Sequence, residues 1–283
     1  MPDAMNEAEP DWWVANRANW DARTRIHLAP GGYDLSRLET GRAALDPIVE
    51  AELPDVSGRR VLHLQCHFGM DSLVLARRGA IVTGLDFSSP AIAAARELST
   101  RLDLSARTRF VEADLYDALT AIPEPASFDL VYVTWGAICW LPDILRWARI
   151  VASFIRPGGA LYLAEAHPAA CVLDDRAALP DGMPGLLVPY FLDGPFVEDE
   201  PRDYANAAVV VKGARQYTFM HSLGRIVTGL ITSGLTLDWL QEHDAITWRM
   251  FDCLVGDGTG LYRWPDQRWL PLSFSLSASR KNP

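Results

Sequence analysis

The chain has 283 residues, 49% of them apolar, and a formal charge of −10, which is enough for one large domain with a sizeable core. No run approaches the roughly 20 apolar residues that cross a bilayer, and the arginines are scattered, with Lys212 and Lys281 the two lysines, so neither a membrane nor nucleic acid is an expected partner. Four isolated cysteines without a CxxC pair, and an acidic opening (MPDAMNEAEPDWW) without the pattern of a leader peptide, point to a cytoplasmic chain; the expected assembly is either a monomer or a homodimer, between which the sequence does not choose.

The first predicted element is an amphipathic helix over 11–26, whose Trp13 and Trp20, seven apart, share a face with Asn16 and Arg23 nearby. Gly31 and Gly32 break the chain before Tyr33, so 1–45 reads as a helical cap on a domain over 46–283. From residue 59 the pattern alternates: strand 60–65, helix 71–78 stopped by Gly79, strand 80–85, and a helix to 102 started by Ser89 and Pro90. Strands at 109–112 and 128–134 follow, then a helix over 143–155 and, through Pro157-Gly158-Gly159, a strand at 160–165. This alternation predicts an α/β fold with a parallel sheet, helices on both faces and ligands at the carboxyl ends of the strands.

Residues 168–203 break the rhythm with Pro, Gly and Asp, and with Tyr190, Phe191 and Phe196 between them. They read as a lid-like insertion, extending to 215, after the fifth strand. A strand at 215–220, a helix from Ser222 to Gly234, and strands at 235–241 and 272–280 complete the chain.

The central motif is VLHLQCHFGMDSL followed by VTGLDFS: a strand, a tight turn and a helix start, then a second strand ending on Asp86. Such a corner binds nucleotides, and Asp86 is placed to accept from ribose hydroxyls. Asp114 in RFVEADLY ends the third strand, where it can reach an adenine amino group with Leu115 or Tyr116 over the ring. His63, Cys66 and His67 lie close in sequence, but no fourth ligand at metal spacing completes a set, so no metal is expected.

This run resembles class I S-adenosylmethionine (SAM)-dependent methyltransferases, whose first motif usually reads VLDLGCGTG; the likeness covers about 59–167. Pro157-Gly158-Gly159 matches the family's turn before its fifth strand, and PLSFSLSASR its antiparallel seventh strand. His63 replaces the usual acidic residue, Gln65 and His67 the first two glycines, and only Gly69 remains. Together with NRANWDARTRIH, the motif is similar to a bacterial small-molecule subgroup, some of whose members methylate indole C3 in natural-product pathways, which implies secondary metabolism.

The resemblance implies a Rossmann-like fold and SAM as cofactor, with Trp20, Arg23, Tyr33, Gln65, His67, Gly69, Asp86, Phe87, Asp114, Leu115 and Thr134 as candidate contacts. Trp135, Cys139 and Trp140, after the fourth strand, are the candidate substrate residues. Methyl transfer is an in-line displacement that needs alignment and a dry pocket; for an acidic acceptor His167 and His221, then Tyr33, are the candidate bases. For most of these residues the alternatives are ordinary ones: core packing for the tryptophans, an ion pair for Arg23, a surface position for Tyr33, and structural hydrogen bonds for the histidines. Two other functions fit parts of the pattern. A dehydrogenase would use Asp86 for NAD, but HFGMDS has one glycine where GxGxxG needs three; a regulatory SAM-binding module would not need the aromatic insertion.

Overall fold

The computed structural model describes residues 11–282 except 201, 204, 207 and 213. The expectation that the opening MPDAMNEAEPDWW is not a leader peptide rests on residues 1–13, of which 1–10 lie outside the described residues. The central sheet has seven strands: β1 (Arg60–Leu64), β2 (Ile81–Asp86), β3 (Thr108–Glu112), β4 (Phe128–Thr134), β5 (Ile155–Ala166), β6 (Thr236–His243) and β7 (Ser273–Ser279). Their spatial order is β6-β7-β5-β4-β1-β2-β3. Strands β1 to β5 pair in parallel, and β7 runs antiparallel to both β5 and β6. The expected Rossmann-like α/β sheet with a reversed seventh strand is what forms. The strand order turns back between β1 and β4, and connections leaving in opposite directions there open a crevice at the carboxyl ends.

Five helices matter for the site: α1 (Asp11–Leu28), α2 (Met70–Arg77), α3 (Ser89–Arg101), α4 (Ile144–Phe154) and α5 (Leu223–Thr232). Leu73, Leu75, Ile92 and Ala95 of α2 and α3 bury against Val61 and Val82 on one face of the sheet. Ile144, Trp147, Val151 and Ile226 of α4 and α5 bury against Leu62, Val131 and Leu163 on the other. A buried aliphatic side chain of this size contributes about 1.5–3 kcal/mol, so both layers hold the strand ends rigidly. The cap of α3 is Ser88 rather than Ser89: the Ser88 hydroxyl accepts the Ala91 N–H, and Pro90 sits in the first turn. Among the described residues no helix is long and apolar enough to cross a membrane.

The cap helix departs from the expected amphipathic pattern. The residues α1 buries are Asn16, Asn19, Arg23, Thr24 and His27, a polar seam. It docks on the strand Arg215–Phe219, which pairs with Pro195–Asp199. The Asn16 carboxamide donates to the Tyr217 carbonyl and accepts the Tyr217 N–H, both at 2.8 Å, and Asn19 donates to the Ala214 carbonyl at 3.1 Å. The cap's asparagine side chains are therefore fastened to the backbone at the end of the insertion and in the strand after it. The insertion is also more regular than its composition suggests, because it contains a second short strand pair, Leu173–Asp174 with Gly185–Leu186. Two further features have no counterpart in the sequence reading: a helix over Pro47–Glu52 capped by Asp46, and a small sheet of Ala245–Ile246, Tyr262–Arg263 and Val255–Gly256.

Candidate active site

A cavity of about 610 Å³ opens at the carboxyl ends of β1, β2 and β4, roofed by α1. Its floor is the turn between β1 and α2. Gln65 (φ 56°), His67 (φ 51°) and Gly69 (φ 77°) all have left-handed backbone. The turn thus keeps the conformation that glycines would give it, although two of the three residues carry side chains. A left-handed non-glycine residue costs about 1–2 kcal/mol, and such strain collects where a site requires it. At Gly69 the side chain is excluded sterically as well: a Cβ there would stand 2.7 Å from the Phe110 ring.

The strained turn aims one backbone donor at Asp86, and the loop after β2 supplies a second. The His67 N–H donates to Oδ2 at 2.8 Å and the Ser88 N–H to Oδ1 at 2.9 Å. Burial still raises the Asp86 pKa to about 6, against those hydrogen bonds. Gln65 donates to the Ala137 carbonyl at 2.7 Å, and its Oε1 is buried with no partner among the described residues. A second buried carboxylate, Asp71, accepts from the Tyr132 hydroxyl at 3.0 Å, and burial raises its pKa to about 6. His63 lines the same wall, paired with the Ser72 hydroxyl at 2.8 Å, and burial lowers its pKa to about 3, leaving it neutral.

At the end of β3, Asp114 Oδ1 accepts the Tyr116 N–H at 2.7 Å, Leu115 lines the wall, and Trp13 meets Phe87 edge-on with centroids 6.4 Å apart. At the end of β4, Thr134 and the loop Trp135, Gly136, Ala137, Cys139 and Trp140 form the opposite wall. Glu165, 3% exposed, shapes that loop by accepting the N–H groups of Gly136, Ala137 and Ile138 at 2.6, 2.7 and 2.9 Å. Trp135 (φ 52°) packs edge-on against Trp248 at 5.9 Å. Trp20 bridges the two walls, 5.3 Å from Trp140 and 5.3 Å from His67. Tyr33 lines the cavity beside Phe68, ring centroids 5.3 Å apart.

The fold therefore brings Trp20, Tyr33, Gln65, His67, Asp86, Phe87, Asp114, Leu115, Thr134, Trp135, Cys139 and Trp140 to one cavity, with Gly69 in its floor. Three predicted residues lie outside the lining. Arg23 is turned to Asp203, 3.0 Å away, in the polar seam. His167 accepts the Ala169 N–H at 3.0 Å on Nδ1 and faces Glu242 at 2.9 Å on Nε2. His221 Nε2 pairs with the Leu141 carbonyl at 2.7 Å. No described residue of 168–215 lines the cavity; the insertion braces the roof. Among the described residues no group of three or more His, Cys, Asp or Glu side chains is arranged to hold a metal ion, and His63 and His67 point to different partners.

Sequence reasoning missed Asp71, Glu165 and Trp248. Asp71 follows Gly69 in the first turn of α2, where an acidic residue reads as a complement to the helix dipole. Glu165 is the last acidic residue of β5, the same strand-end position that singles out Asp86. Trp248 carries no signal in the sequence.

Residues 61–159 match the model of a family described as a methyltransferase domain. The ubiquinone biosynthesis O-methyltransferase of Xanthomonas campestris pv. campestris is 36% identical over 120 residues, 41% of this chain and 47% of that protein. The chain thus aligns with about half the length of the curated relatives it matches. The S-adenosylmethionine-dependent methyltransferase of Mesorhizobium loti has a TM-score of 0.57 at 24% identity, covering 83% of this chain and 96% of that one. A second such structure, from Listeria monocytogenes, has a TM-score of 0.61 at 17% identity, covering 83% and 95%. At these identities the structural likeness is one of fold. The sheet with its reversed seventh strand and its strand-end crevice defines a Rossmann-like α/β fold. Residues 61–159 are thus a methyltransferase domain on that fold, and the chain is similar to class I SAM-dependent methyltransferases.

Proposed function

We propose that this chain transfers the methyl group of SAM to a small aromatic acceptor, indole- or phenol-like. The observation that carries the proposal is the cavity itself. Carboxylates stand at two adjacent strand ends, Asp86 and Asp114, and aromatic walls face each other across the space beyond them. The residues suit the cofactor: Asp86 for the ribose hydroxyls, Asp114 and Leu115 for adenine with Trp13 and Phe87 beside it. The partnerless Gln65 Oε1 and the buried Asp71 carboxylate offer acceptors to an ammonium group.

When bound, SAM supplies an electrophilic methyl on a sulfonium. The chain supplies position and dryness. Trp20, Trp135 and Trp140 stack on a flat acceptor, each ring pair worth about 0.5–1.5 kcal/mol beyond its buried area. Glu165 fixes the loop that carries two of these rings. No Lys or Arg lines the cavity among the described residues, which favours an uncharged acceptor over a phosphorylated or polymeric one.

Calorimetry with SAM, followed by product masses over a panel of indoles, phenols and amines, tests the proposal. Micromolar SAM binding with methylated aromatic product supports it. SAM binding without product from any acceptor would leave a regulatory module; no SAM binding would remove both readings.

A further inference from the structure

A buried chain of polar groups joins the floor, the cap and the insertion. His67 Nε2 lies 2.8 Å from His27 Nδ1, and His27 Nε2 lies 3.1 Å from Asp203 Oδ2. That carboxylate oxygen also accepts from the Arg23 guanidinium at 3.0 Å, while Oδ1 accepts the N–H groups of Ala205 and Asn206 at 2.8 and 3.1 Å. His27 is 0% and Asp203 1% exposed, so the protein rather than water sets the direction of these hydrogen bonds.

The directions follow from the ends. A carboxylate held by a guanidinium and two backbone N–H groups accepts, so His27 Nε2 carries a proton. Burial lowers the His27 pKa despite the opposing pull of Asp203, so the ring is neutral at pH 7 and its Nδ1 is a lone pair. His67 Nε2 must then be the donor to it. Burial, with the His27 ring beside it, also lowers the His67 pKa, and a neutral imidazole protonated at Nε2 has Nδ1 as its one acceptor. His67 lines the cavity against Trp20, which touches Trp140 on the acceptor wall. The other charged or titratable groups around the pair are Asp86, which accepts the His67 N–H, Arg23 beside Asp203, and Tyr33, edge-on to His27.

We propose that His67 Nδ1 is the proton acceptor for the O–H or N–H of the substrate, with His27 and Asp203 as the relay that fixes its tautomer and disperses the charge. This rests on reading the cavity as a methyl-transfer site. The substrate O–H or N–H bond breaks, its electron pair stays on the substrate, and the proton bonds to Nδ1. The proton makes His67 an imidazolium whose Nε2–H stays donated to His27 Nδ1, and the Asp203 carboxylate at the far end of the hydrogen-bonded chain offsets the new charge. His67 is the catalytic residue; His27 and Asp203 are positioning residues. The insertion thereby acts in the chemistry without touching the cavity.

Nitrogen-15 NMR of histidine-labelled protein without cofactor tests the relay, with Asp203→Asn and Asp203→Glu beside the wild type. The expected wild-type signal at pH 7 is a neutral His67 protonated at Nε2. In Asp203→Asn the carboxamide N–H donates to His27 Nε2, both hydrogen bonds reverse, and the proton appears on His67 Nδ1. For an acidic acceptor kcat should fall about 10²- to 10⁴-fold with SAM affinity within about threefold, and Asp203→Glu should restore most of both the tautomer and kcat. A wild-type His67 protonated at Nδ1, or an Asp203→Asn enzyme with unchanged kcat, would overturn the relay. The wild-type tautomer decides even where a variant does not fold. It is read without SAM, so a failure to bind SAM overturns the proposed function and not this hydrogen-bond direction.

Discussion

The indole N–H of Trp13 donates to Asp114 Oδ2 at 2.5 Å, closing the N-terminal helix onto the end of β3 across 101 residues of sequence. The cap is thus joined to the strand end proposed to hold adenine, and removing it should be felt by the cofactor. Trp13→Ala should weaken SAM binding by about 1–2 kcal/mol, roughly 5- to 30-fold, through the lost hydrogen bond and ring contact. Calorimetry giving the wild-type affinity would detach the cap from the cofactor site.

Asp86 is proposed to take the ribose hydroxyls in charge-assisted hydrogen bonds. Asp86→Ala should lower SAM affinity by about 2–4 kcal/mol, roughly 30- to 1000-fold. A folded variant, checked by circular dichroism, that binds SAM as tightly as wild type would exclude that role.

Asp71 links the site to pH. Its pKa rises from 3.8 to about 6 through burial. Between those values the folded chain keeps a proton that the unfolded chain has lost, so this group's contribution to stability falls as pH rises through that window. Asp71→Asn does not titrate there, and other carboxylates cancel in the comparison. The variant should gain stability relative to wild type between pH 4 and pH 8, while losing SAM affinity at pH 8. Thermal melts with a pH-independent difference between the two proteins would show that the carboxylate is not held under that penalty.

The parallel core was legible because its signals are local. Strand β4, for instance, is a buried apolar run bounded by turn residues, and it forms over the predicted span. Asp86 and Asp114 were legible because a strand end fixes what an acidic residue faces. The cap helix was legible as a helix, but its buried face was not. Asn16, Asn19 and His27 are buried because tertiary partners (the Tyr217 backbone, the Ala214 carbonyl and Asp203) satisfy their polar groups. Periodicity registers apolar residues and carries no trace of such partners. The same limit misplaces Arg23, His167 and His221, since sequence puts them near a strand or helix end without saying which way the side chain turns. Gln65 and His67 read as lost glycines; the backbone keeps the glycine conformation at both, held by the Asp86 and Ala137 hydrogen bonds.

Trp140 separates substrate from cofactor contacts on the aromatic wall. Trp140→Leu removes the ring that meets Trp20 at 5.3 Å. If that wall serves the acceptor, KM for an aromatic acceptor should rise about 3- to 30-fold while the SAM Kd holds. A variant that loses SAM affinity and keeps its acceptor KM would assign the ring to the sulfonium instead, through a cation–π contact.

The most direct test of the central claim is the product mass after incubation with SAM carrying a deuterated methyl group and a panel of small aromatic acceptors. The account predicts an aromatic product heavier by one intact labelled methyl, abolished together with SAM binding in Asp86→Ala. Unlabelled acceptors throughout, from protein that binds SAM with full occupancy, would contradict it.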